Sequence, residues 1–95
     1  MATLLTSSGN ATGTGASHSG PATVFARGVF DGARVIIQVS DDDTNYVRAD
    51  TPGVVNDAVF VGPGARNVNA LGTYYIRCVV EKGGSSTSIT AVSTQ

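Results

Sequence analysis

Val24-Phe25-Ala26-Arg27-Gly28-Val29-Phe30 leads into Asp31-Gly32, and Ala33-Arg34-Val35-Ile36-Ile37-Gln38-Val39-Ser40 follows. Two β-rich runs thus flank a two-residue Asp-Gly. Asp-Gly supplies the pair of positive φ angles that a type I′ turn needs, and the twist of that turn matches its flanking strands. The stretch reads as a β-hairpin and sets the fold class as all-β. Working outward, β-type runs recur at short spacing: Thr23–Phe30, Arg34–Ser40, Asn45–Arg48, Asp57–Val61, Val68–Leu71, Tyr74–Glu81 and Ser88–Ser93. Turn chemistry separates them, at Asp41 to Thr44, Pro52-Gly53, Gly62-Pro63-Gly64, Gly72 and Gly83-Gly84. Pro52-Gly53 suits the centre of a type II turn, because Pro fixes φ and Gly accepts φ > 0. No window holds a 3.6-residue period over ten residues, so almost no helix is expected. Short strands with turns at this density predict a small antiparallel β-sandwich, jelly-roll or immunoglobulin-like.

The chain divides by composition. Ser7 to Gly20 holds only Gly, Ser, Thr, Ala and Asn with one histidine. Such a segment buries little apolar area, and residues 1–20 read as a flexible N-terminal arm before a β-sandwich domain over 21–95. Within the arm Thr3 to Thr6 offers a short strand, with Leu4 and Leu5 as its only large apolar residues. A sticky dipeptide on a flexible tether is what a docking arm looks like, although a frayed terminus has the same composition.

Ninety-five residues make one domain, which buries only about 60–65% of the surface that its unfolded chain exposes. Chains this small often add disulfides, a metal or oligomerisation. The single cysteine forbids an internal disulfide, and no His/Cys cluster suggests zinc. Oligomerisation or docking onto a larger body is left. Six basic against seven acidic residues give a net charge of −1, without the clustered Lys and Arg of a nucleic-acid surface. No apolar run nears the roughly 18 residues of a membrane span. Met1 to Leu5 lacks the basic start and long apolar core of a signal peptide, so cytoplasmic synthesis is expected.

Alternation sorts the side chains. Val35, Ile37 and Val39 share a face, as do Ile76, Cys78 and Val80, and as do Val24, Ala26, Gly28 and Phe30. The opposite faces are mixed, since Phe25, Val29, Ile36, Tyr75 and Val79 lie among the charges. Mixed faces predict an outer surface partly covered by another chain or by the arm.

Chemistry-bearing residues are few. Asp41, Asp43 and Asn45 alternate like the opening of a calcium loop. The glycine and bidentate glutamate that such a loop needs are replaced by Tyr46 and Pro52, so the expectation is a hairpin loop whose Asp and Asn side chains bond nearby backbone N–H groups. His18 lies in the arm with no partner near in sequence, and Cys78 sits mid-strand on the apolar face as a small hydrophobe. Gly62-Pro63-Gly64 lacks the Lys and Ser/Thr of a phosphate loop. No cofactor is expected, and no enzyme. Tyr46, Tyr74 and Tyr75 offer a thin basis for a sugar-stacking face.

Taken in order, these motifs carry a resemblance. A β-run with Phe and Gly and an Asp-Gly turn lead to Val35-Ile36-Ile37-Gln38-Val39-Ser40-Asp41-Asp42. Tyr46 opens the next strand, a Gly-Pro-rich turn follows, and then come Tyr75-Ile76-Arg77 and a Gly/Ser hairpin over Gly83 to Ser88. Over roughly Pro21 to Ser93 the chain resembles small β-rich capsid decoration, or cement, proteins of tailed bacteriophages. It departs from them in having Tyr46 where Trp is common, and in its Gly-rich first twenty residues.

The resemblance implies a virion protein on the outer capsid surface, a homotrimer that binds the major capsid protein and cements neighbouring capsomers. Charge and apolar run length point to no nucleic-acid or membrane partner. The contact residues expected, to capsid or between subunits, are Leu4 and Leu5 in the arm, Phe25, Arg27 and Val29 on the outer face, and Arg34, Arg48, Arg66 and Arg77 as charge-assisted donors. Two other readings stay open: a surface glycan- or receptor-binding module on a virion, and an immunoglobulin-like interaction domain. The latter expects flanking domains, whereas Met1 and a polar last strand suit a stand-alone product.

Overall fold

The computed structural model describes residues 2–7, 10–49, 58–68 and 72–94. These form ten strands and no helix: β1 (Ala2–Ser7), β2 (Ala11–Thr12), β3 (Ala16–Ser19), β4 (Ala22–Val29), β5 (Arg34–Ser40), β6 (Val47–Arg48), β7 (Val59–Phe60), β8 (Gly64–Val68), β9 (Thr73–Glu81) and β10 (Ser88–Thr94). One antiparallel sheet, sheet I, has the order β1-β10-β4-β8. In sheet II, β9 and β5 are central. The short strands β2 and β3 both line the free edge of β9, and β6 and β7 both line that of β5. Counting each short pair as one position, the chain alternates between sheets except at the β5–β6 hairpin, and its last strand lies between β1 and β4. That is the eight-position jelly-roll topology.

The Asp-Gly turn forms as its chemistry demands. Asp31 and Gly32 have φ of 48° and 83°, and the Ala33 N–H donates to the Phe30 carbonyl at 2.9 Å. The hairpin does not form, because β4 pairs with β10 and β8 while β5 pairs with β9, β6 and β7. Val24 and Ala26 of β4 and Val35 and Ile37 of β5 are all buried. Both apolar faces are covered when the two strands oppose each other across the core, so the turn becomes a corner between sheets. Gly28 prepares the bend with a φ of 118°, and the Ser88 carbonyl fills the space that a Cβ would need. Gly83 to Ser88 is likewise a crossover between β9 and β10. The two corners are tied together, with the Asp31 carboxylate accepting the Ser86 N–H at 2.9 Å and the Thr87 hydroxyl donating to the Phe30 carbonyl at 3.0 Å. A true hairpin joins β5 to β6 around Asp41 to Tyr46.

The N-terminal segment corrects the expectation of an arm. β1 runs antiparallel to β10 from Ala2↔Ser93 to Ser7↔Ile89. A register shift between Thr3 and Leu5 inserts an extra residue, and such a bulge turns two consecutive side chains to one side. Leu4 and Leu5 are therefore both in the core, at 2% and 6% exposure. Small side chains do not prevent backbone pairing either. β2 and β3 zip along β9, and between them the Gly13 N–H donates to the Cys78 carbonyl at 2.8 Å. The domain boundary placed at residue 20 thus becomes a corner, where the Gly20 N–H donates to the Gly72 carbonyl.

Elsewhere the alternation holds. Ile76, Cys78 and Val80 point inward with Val35 and Ile37, and Val39 packs against them half-buried. β8 covers Gly64–Val68, N-terminal to the expected strand at Val68, and residues 69–71 lie outside the described residues, as do Pro52-Gly53 and Asp57.

Candidate contact surface

The outer face of sheet I is built from alternate residues of its strands. β4 contributes Thr23, Phe25, Arg27 and Val29. Register sets Val92 and Ala65 on either side of Phe25, Thr90 beside Arg27 and Ser88 beside Val29. Phe25 is 39% exposed and Val29 54%. A shallow depression of about 540 Å³ runs over Phe25, Arg27, Gly64, Ala65, Val92 and Thr94. Single exposed apolar residues are ordinary on a protein surface, but here several are contiguous on one sheet around one cation.

Sheet II presents a different outer face, made of cross-strand polar pairs. Arg34 and Glu81 are register partners joined by an ion pair at 2.8 Å. Among the described residues the buried Nε of Arg34 has no hydrogen-bond partner. One rung separates them from the next polar pair, and that rung is Ile36 beside Val79 and Val59. Arg77 then donates from Nε to Gln38 Oε1 at 2.7 Å, and its guanidinium lies 4.0 Å from the centre of the Tyr46 ring. Tyr46 donates its hydroxyl to Asp43. Burial, with the Asp43 hydrogen bond and charge added, pushes the Tyr46 phenol up to about 12.

The acidic loop is a self-satisfied turn. Asp42 Oδ1 accepts the N–H groups of Thr44 and Asn45, and Oδ2 accepts from Asn45 Nδ2. Backbone donation from Asn45 and then Thr44 holds its carboxyl well below the usual carboxylate range. The loop is a hairpin turn closed on backbone N–H groups as expected, but the side chain that closes it is Asp42, while Asn45 bonds the Asp42 carboxylate and Asp43 accepts from Tyr46.

The sequence places His18 in the arm with no partner for base or metal duty near in sequence. The histidine is buried on β3, 4% exposed, and reaches across the core to Ser93 of β10. Ala16 O lies 2.8 Å from Nδ1 and can only accept, so Nδ1 carries the proton. Nε2 lies 2.5 Å from the Ser93 hydroxyl oxygen, and in the neutral ring it accepts from that hydroxyl. A serine on a histidine is the beginning of a nucleophile–base pair. Ser93 is 1% exposed, however, so no substrate reaches its oxygen in the folded chain, and the pair acts as a strut between sheets. Tyr74 stacks against His18 and donates its hydroxyl to the Gly20 carbonyl at 2.6 Å. Burial pushes the Cys78 thiol up to about 12, which leaves no thiolate at neutral pH. Among the described residues no three His, Cys, Asp or Glu side chains converge as metal ligands.

No family model, curated protein or solved structure matches the chain.

The contact residues expected from sequence therefore separate into groups. Phe25, Arg27 and Val29 come together on sheet I. Arg34 and Arg77 lie on the opposite face, already engaged. Arg66 on β8 sits with its guanidinium 5.1 Å from the Phe60 ring centre, and Arg48 is exposed on β6. Leu4 and Leu5 are not at the surface at all. Sequence reading missed two exposed valines, Val47 at 65% and Val61 at 76%. Both adjoin turns, and an apolar residue next to turn chemistry was the available signal.

Proposed function

We propose that this chain is a virion structural module that binds the outside of a tailed-phage capsid and stabilises the shell by contact rather than by chemistry. The observation that carries this reading is the placement of its reactive groups. The hydroxyl on a histidine and the thiol are locked in the core, while the outward face of sheet I offers an apolar strip around Arg27. The resemblance in the order of motifs adds the capsid as the partner. A small module that binds only the assembled shell stabilises it by its binding free energy, and symmetry repeats the contact many times. A sugar-binding reading has less to stand on. Tyr74 is buried, Tyr46 is capped by Arg77, and Tyr75 alone of the three is half-exposed without a covering cation.

The test is composition and location. Tailed-phage particles are banded on a density gradient from a culture that carries the gene. Their proteins are then identified by mass spectrometry, before and after proteolysis of the intact particle. Recovery of this chain in stoichiometric amount, with exterior cleavage sites, supports the proposal. Its absence from banded particles, or its recovery only with detached tails, overturns it.

A further inference from the structure

Two exposed patches of opposite charge sit on different sheets of the sandwich. The first is Arg27 between Phe25 and Val29. Arg27 is exposed and makes no ion pair or hydrogen bond among the described residues. The second is Asp41 beside Val47, at the β5–β6 hairpin. A depression of about 450 Å³ there is lined by Val39, Asp41, Asn45, Val47 and Tyr74. The three acidic side chains of that loop are not equivalent. Asp42 is saturated by its own loop, and Asp43 accepts from Tyr46. Asp41 is exposed and has no partner among the described residues.

Geometry keeps one copy from joining its own patches. β4 ends at the 30–33 corner, so Val29 lies near that end. β5 starts from the same corner and runs its full length before Asp41, about 20 Å away at about 3.3 Å per residue. We propose that copies of this chain associate head to tail, with the Asp41–Val47 end of one seated on the Phe25–Arg27–Val29 face of the next. A wholly apolar partner would cover Arg27 without compensating its charge, whereas a carboxylate set beside an exposed valine matches both parts of the patch. The contact is heterologous, so it closes into a ring or runs on as a filament according to the rotation between copies. In the virion reading, on which only its setting rests, this makes the sheet I face a contact between neighbouring copies on the shell; its test needs no capsid.

The experiment is light scattering and sedimentation equilibrium on the purified chain, whose single-copy mass is 9.6 kDa. The expected result is a multiple of that mass at low salt, with association weakening as salt rises. Arg27→Glu and Asp41→Arg should each weaken association by about tenfold or more, and the double swap should restore it. Both positions are exposed, so circular dichroism melts should stay near wild type and separate lost association from lost folding. A single-copy mass up to millimolar concentration overturns the proposal. So does a folded double swap that fails to recover association. Particle composition, read separately, decides the virion reading whichever way this falls.

Discussion

Leu4→Ala separates a core strand from a flexible arm. Leu4 is 2% exposed and belongs to the same cluster as Val24, Ile76 and Ile89. The substitution removes three carbons beyond Cβ, worth about 0.8 kcal/mol each in transfer, so about 2.4 kcal/mol. The hole left behind adds a cavity term, which brings buried Leu→Ala changes to about 2–5 kcal/mol. β1 is an edge strand held by β10 alone, so its backbone can partly collapse into the space. We expect about 3 kcal/mol. For a domain of this size about 1 kcal/mol moves Tm by about 4–8 °C, so Tm should fall by about 12–24 °C. Total stability of 95 residues is about 5–14 kcal/mol, so the variant stays folded. Replacing Leu4 and Leu5 together by Ser should remove most of the folded population. The assay is urea unfolding by circular dichroism, with m unchanged for the single variant. If residues 1–20 were an arm, the cost would stay within about 0.5 kcal/mol, as at most surface sites. A Leu4→Ala Tm within two or three degrees of wild type, on the scale of about 4–8 °C per kcal/mol, would refute the reasoning.

Three further outcomes follow from the buried and loop groups. Cys78 should be inert to a thiol reagent until the chain unfolds; its raised folded value means that the stability present below pH 9.0 declines as pH rises toward about 12, by up to about 1.4 kcal/mol per unit, and Cys78→Val should remove that part of the alkaline slope. His18→Ala should cost about 2–4 kcal/mol through the cavity and the orphaned Ser93 hydroxyl, and a cycle with Ser93→Ala should show coupling of about 0.5–3 kcal/mol, whereas strict additivity would deny the strut. Asp42 has a lowered folded value, so its contribution is present above pH 3.8 and lost as pH falls below it; Asp42→Ala should speed amide exchange at Thr44 and Asn45 with little change in the core.

What could be read from the sequence divides along the line between local and non-local physics. The Asp31-Gly32 turn type is set within four residues, and its φ angles came out as the residues dictate. Strand alternation is local too, and it put Ile76, Cys78 and Val80 on the buried face. Strand partners are not local. Whether β4 and β5 share a sheet depends on which faces must be covered, and the same turn serves a hairpin or a corner. Composition misled at the N-terminus, because Ser, Thr and Gly report what a segment can bury and not whether its backbone hydrogen bonds are filled. β2 and β3 fill theirs from β9. The partner of His18 is 75 positions away, and only the fold brings Ser93 to it. Of the candidate contact surface, the Phe25–Arg27–Val29 set was legible because period two puts them on one side. Leu4 and Leu5 were not, since the bulge that turns both inward has no mark in the sequence.

In the proposed role the outer face of sheet I is covered when the chain is bound. Hydroxyl-radical footprinting with mass spectrometry tests this directly, comparing the free chain at high dilution with the chain on gradient-banded phage particles. Strong labelling of Phe25 and Val29 is expected in the free chain, and loss of that labelling on the particle, while Tyr75 on the opposite sheet serves as the internal reference. Equal labelling of Phe25 and Val29 in the two states would contradict it.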